Sequence, residues 1–135
     1  MPSSTVTVRP APAFVADLAC VVLFAVVGRL SHHEAADPLG VATTAWPFLA
    51  GLVLAWLAGR LWRAPARVVP AGVVAWAGTL VLGMLLRAVS GQGVQVAFVV
   101  VAAVVLAVLL LGWRLLVAAV AGRRLRRAGS GSPSS

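Results

Sequence analysis

Lysine is absent, cysteine occurs once, and only three residues are acidic: Asp17, Glu34 and Asp37. Each shortage excludes a class of protein. Charged residues make up 10% of the chain, against about 25% in a soluble domain. A chain this small has much surface for its volume, and a greasy surface of that extent aggregates in water. A lone Cys20 inside an apolar run rules out a disulfide framework or a cysteine metal site within one chain, and reads as a small packing residue. No nucleophile motif, phosphate loop, dinucleotide fingerprint or paired carboxylate set is present, so nothing points to an enzyme or a cofactor. His32 and His33 are adjacent and diverge by about 100° on a helix, whereas a helical zinc pair sits at i,i+4, so no metal is expected.

What the chain has instead is hydrophobic length: 61% of its 135 residues are apolar. They are not confined to one stripe, as in a soluble amphipathic helix. A membrane span needs about 20 mostly apolar residues. Four such runs are expected, at about residues 13–30, 46–62, 70–86 and 94–117. The expected fold is an all-α, integral membrane four-helix bundle with short loops. Residues 1–12 form an N-terminal segment, 13–121 the membrane domain, and 122–135 a basic and then disordered tail rich in Gly, Ser and Pro. Residues 31–45 are read as the longest connection and 87–93 as a tight turn. The residues after the first span offer no small-x-small cleavage site, so it is read as a retained helix.

All eleven basic residues are arginine, a composition that suggests a GC-rich bacterial genome. The basic excess has no folded soluble surface to sit on, so anionic lipid headgroups, not nucleic acid, are the expected partner. Arg9, Arg60, Arg63, Arg67, Arg123, Arg124, Arg126 and Arg127 fall on one side of a four-span chain, and only Arg29 and Arg87 on the other. The positive-inside rule then puts both termini in the cytoplasm, in a multi-pass protein of the cytoplasmic membrane. Arg123, Arg124, Arg126 and Arg127 are read as headgroup contacts. Trp46, Trp62 and Trp113 are expected at membrane interfaces, Trp56 and Trp76 as packing residues.

Two polar groups are candidates for more than topology. Asp17 is the acid inside a span, and Arg114 approaches the same depth from the opposite direction on the fourth span, which predicts a buried charge pair locking two helices. On the other side Arg29, His32 and Glu34 gather at the end of the first span, with Arg87 at the end of the third. Arg29 and Arg87 each lie seventeen residues past a span-opening proline, Pro12 and Pro70, hence at a similar depth. Gly51, Ala55 and Gly59 in the second span, and Ala75, Thr79 and Gly83 in the third, form four-residue stripes of small side chains suited to close helix contact. The second stripe continues to Arg87, turning that arginine towards the bundle. Together these residues form a candidate outer polar site.

Asp17, the sequence Gly28-Arg29 followed by His32, Trp46-Pro47-Phe48, Gly83 with Arg87, and Gly112-Trp113-Arg114 together resemble domain-of-unknown-function family 3054, an uncharacterised family of small prokaryotic membrane proteins. The resemblance covers about residues 14–117. It implies a four-helix membrane protein of an actinobacterial or haloarchaeal kind and lends no activity. It draws attention to Arg29, His32, Arg87 and Arg114. The expected role is a non-enzymatic interaction or accessory subunit, partnered by the bilayer and by another membrane protein or a second copy. The alternative is an oligomeric transporter or channel for a small solute or anion.

Overall fold

Proline and aspartate set the helix starts. The computed structural model describes residues 9–31 and 37–130. Helix α1 runs Pro10–Ser31, α2 Pro38–Gly59, α3 Val73–Val89 and α4 Val96–Ser130. All four are long and apolar enough to cross a membrane, α3 together with the wide turn Val68–Gly72 that leads into it. Among the described residues there is no strand. The chain is thus a multi-pass membrane protein of the all-α class.

The second helix starts earlier than hydropathy alone suggests. Residues 38–45 were expected as loop, yet Asp37 caps the helix, its carboxylate accepting from the Gly40 N–H at 3.2 Å, with Pro38 in the first turn. Pro fits that turn because its missing N–H has no helical partner there anyway. Trp46 and Pro47 therefore lie inside α2 instead of opening it, and Trp46 sits more than two turns from the helix start. Proline in a helix interior deprives the carbonyl four residues earlier of its donor. Here that acceptor is Thr43, and the side-chain amide of Gln92 donates to it at 3.2 Å from the connection between α3 and α4. Gly91 and Gly93 supply the positive φ angles, 84° and 85°, that this connection requires.

The fourth helix also differs from expectation. It runs past the expected end of its span near residue 117 and continues through Arg123–Arg127 to Ser130. At 1.5 Å per residue its 35 residues make roughly 50 Å, well beyond the ~30 Å hydrocarbon core. The arginine-bearing end stands outside the apolar layer.

Neighbouring helices run antiparallel and close a ring: α1 packs on α2 and α4, and α3 on α2 and α4. Phe24, Phe48 and Phe98 meet in the core, with ring centroids 4.9–6.0 Å apart. Phe48, Leu52, Ala102, Leu106 and Leu110 continue it towards the other end. The small-residue stripes do form the α2–α3 contact. Gly51 faces Thr79 and Gly83, Ala55 faces Gly78, and Gly59 faces Val74. Thr79 Oγ1, buried in that contact, has no hydrogen-bond partner among the described residues.

Candidate functional site

Two polar centres sit at opposite ends of the bundle. At the end shared by the chain termini, Asp17 lies two turns inside α1 and Arg114 on α4, both fully buried. The guanidinium grips the carboxylate with two parallel bonds, Nη1 to Oδ1 at 2.9 Å and Nη2 to Oδ2 at 2.7 Å. Trp113 Nε1 donates to Oδ1 at 2.8 Å and Trp56 Nε1 to Oδ2 at 2.9 Å, so each carboxylate oxygen accepts two N–H groups. Arg114 also donates from Nε to the Pro65 carbonyl at 2.7 Å and from Nη1 to the Leu110 carbonyl at 2.8 Å. Its side chain curls back towards the start of α4, the direction helical side chains favour, and so runs into the bundle. One arginine thus ties α1, α4 and the α2–α3 connection, and through Asp17 it reaches α2. The arrangement is a saturated ionic hub, with no lone pair of Asp17 presented to solvent.

Trp56 and Trp113 were not anticipated as carboxylate partners. Trp113 spends its N–H on Asp17 inside the bundle, not on the headgroup layer as its position near a span end suggests. Trp76 packs between α3 and α4 and donates to the Ala103 carbonyl at 2.9 Å. Cys20 contacts α4 through the Leu109 carbonyl, at 3.5 Å.

At the other end the structure brings Arg29 and Arg87 to one half-open cavity of about 210 Å³, lined also by Gly28, Thr44, Gln92, Gln95 and Phe98. Arg29 reaches across Gly40, donates to Thr44 Oγ1 at 3.3 Å and lies 3.9 Å from the Asp37 carboxylate on the rim. Arg87 donates from Nε to the Gly93 carbonyl at 2.8 Å and from Nη1 to Gln92 Oε1 at 3.1 Å, with its guanidinium 4.1 Å above the Phe98 ring. His32 and Glu34, the other candidates for this end, lie outside the described residues, as does His33. Among the described residues no group of His, Cys, Asp and Glu is placed to hold a metal ion. Arg123, Arg124, Arg126 and Arg127 are exposed along the projecting end of α4.

A family model described as a protein of unknown function, DUF3054, matches residues 14–117. The chain belongs to this family. Both polar centres of this DUF3054 protein, Asp17 with Arg114 and Arg29 with Arg87, lie within the matched span. No curated protein and no solved structure matches the chain.

Proposed function

We propose that this DUF3054 protein is a non-enzymatic accessory or interaction subunit of the cytoplasmic membrane. The observation that carries this reading is the saturated hub: the buried ions Asp17 and Arg114 are spent on each other and on tying helices together. An ion relay or an acid–base catalyst needs a group that can exchange a proton or a ligand. Beyond the hub the core is apolar through Leu110, Leu106, Leu52 and the three phenylalanines. A rigid body of this kind suits a role exercised through its outer faces. The test is composition in mild detergent. We expect a single copy in stoichiometric complex with one other membrane protein, kept through a change of detergent. A homo-oligomer that carries solute when reconstituted into liposomes would overturn the reading and favour transport. The arginine-lined cavity is the feature in favour of that second reading, with an anion as solute. Because the cavity ends on Phe98 and the aromatic core, such a path would run between subunits.

Orientation belongs to the same proposal. Eight arginines at the end shared by the termini, against Arg29 and Arg87 at the other, support cytoplasmic termini. The projecting Arg123, Arg124, Arg126 and Arg127 then meet anionic headgroups, at roughly 1 kcal/mol each near the surface. Reporter fusions after Asp37, Arg67, Gly91 and the C-terminus are expected to read outside, inside, outside and inside. A C-terminal fusion active outside the cytoplasm would reverse the assignment.

A further inference from the structure

We propose, resting on the accessory-subunit role above, that the bundle-facing side of the projecting end of α4 is a docking seam for an acidic helix of the partner membrane protein. Along α4 the residues that pack into the bundle recur at helical spacing, and Leu106, Leu110 and Arg114 are fully buried. At about 100° per residue, Val117, Ala121 and Leu125 lie within roughly 60° of the direction of Arg114, so they prolong the same packing seam beyond it. Burial fades along them: Val117 and Ala121 are half-buried, and Leu125 is 46% exposed. Counted from Val96, the hydrocarbon layer takes up about 20 residues, so Ala121 and Leu125 stand roughly 8 and 14 Å outside it. The direction of the seam argues against lipid as its cover. Arg114 reaches from the same side of α4 to Asp17 and the Pro65 carbonyl, so the seam overhangs the end of the bundle itself, where protein and not lipid lies. Charge argues against a second copy. No acidic side chain follows Asp37 in the sequence, and Asp17 is spent on Arg114. Arg124 flanks the seam, roughly 80° from Arg114, and is exposed. Arg63 and Arg67, also exposed, belong to the α2–α3 connection, which meets this side of α4 where Gly72 lies against Leu111 and Arg114. Two copies meeting along the seam would bring arginine against arginine. A helix with an apolar stripe flanked by Asp or Glu would meet the same residues with opposite charge. Arg123 and Arg126, on the outer side of the helix, remain for headgroups.

The test is protection of single cysteines in the full chain, in a Cys20→Ala background, against N-ethylmaleimide, which crosses membranes and alkylates hydrated thiols through the thiolate. Ala121→Cys and Leu125→Cys report the seam. Ala119→Cys and Arg123→Cys report the outer side at similar heights, roughly 140–180° from Arg114. In native membranes the seam positions should react about tenfold more slowly than the outer ones, as mass action gives for a seam occupied about nine-tenths of the time. The protection should vanish when the purified chain, freed of partners, is placed one copy per disc in nanodiscs of phosphatidylcholine with phosphatidylglycerol. It should also fall severalfold in native membranes when Arg63→Gln, Arg67→Gln and Arg124→Gln are combined, a change that leaves the apolar seam intact. Protection that persists in single-copy discs assigns the cover to lipid or to the bundle itself, and protection that returns with two copies per disc assigns it to self-association. Either result overturns the proposal, as does protection indifferent to the three glutamines or missing from native membranes. The accessory role has its own point of failure. If no other membrane protein co-purifies, that role falls. If one co-purifies and the seam reacts as fast as the outer side, the role stands and the docking seam alone is overturned.

Discussion

Alanine in place of either Asp17 or Arg114 is expected to cost the folded state about 3–5 kcal/mol, the usual penalty for stranding one member of a buried ion pair. The environment explains the size. Without Asp17, the guanidinium loses both arms of its fork, and the Trp56 and Trp113 N–H groups lose their acceptor in a fully buried place. Without Arg114, the carboxylate keeps two indole donors but no countercharge, and the Pro65 carbonyl loses its donor. The double replacement removes both ions at once, so its loss should fall clearly short of the sum of the single losses. Asp17→Asn is not a mild substitute, because one of its two acceptor atoms becomes an NH₂ facing N–H donors. Arg114→Lys fails as well: one ammonium cannot hold both carboxylate oxygens and reach Pro65 with the same geometry. The measurement is reversible unfolding in mixed detergent for the four members of the cycle. Strictly additive losses would show that the pair is not coupled.

The hub also explains why charge is tolerated at this depth. Transfer of a lone carboxylate from water to a low-dielectric interior costs several kcal/mol even after relaxation. Four N–H donors and a countercharge replace the water that Asp17 gives up. An apolar contact in the same place would let α1, α2 and α4 slide past one another by a turn at little cost, because lipid and side chains are equally apolar. The carboxylate accepts only where the Trp56, Trp113 and Arg114 donors converge, so it fixes the register of three helices at one point.

Much of this was legible in the sequence, for reasons that differ by feature. The four spans followed from hydrophobic length, because lipid imposes a long and unbroken apolar requirement. The depth argument brought Asp17 and Arg114 together, since rise per residue is fixed and helices alternate in direction. The start of α2 was missed because residues 38–45 are only moderately apolar, although Asp37-Pro38 ahead of Gly40 is a capping signal that hydropathy does not weigh. Trp113 was assigned to the interface by its position near a span end, but the neighbouring Arg114 draws Asp17 within reach of the same indole. The Pro65 carbonyl carried no sequence signal at all, because a backbone acceptor is the same at every residue. Arg29 and Arg87 were placed at one depth by their spacing from Pro12 and Pro70. Thr44, Gln92, Gln95 and Phe98 were not, because they come from separate segments whose meeting depends on how the helices pack.

Gly83→Ala is expected to destabilise the bundle by about 3 kcal/mol, at the upper end of what overpacking usually costs. Gly83 sits at a close approach of α2 and α3: its own amide nitrogen is 3.0 Å from where a Cβ on Gly51 would lie. A methyl on Gly83 would overlap the Phe48 ring, meeting Cδ1 in a clash and Cε1 at 2.7 Å. That ring has nowhere to go. It is fully buried and packs edge-on against Phe24 at 4.9 Å and beside Phe98 at 6.0 Å. Relief therefore requires the helices to part or the aromatic core to repack, and either forfeits dispersion contacts across the bundle. The cause can be isolated by shrinking the ring. Phe48→Leu alone leaves a partial void and costs stability, but in its presence Gly83→Ala should cost much less than in the wild type. Gly112→Ala provides the contrast. Apart from its chain neighbours and the adjoining helical backbone, nothing lies within 4 Å of the added methyl, so alanine should be neutral there or gain up to about 1 kcal/mol from helix propensity. Unfolding of the four-member Gly83 and Phe48 set, with Gly112→Ala alongside, tests the explanation. It fails if Gly83→Ala is as stable as the wild type, or if its cost is unchanged when Phe48 is leucine.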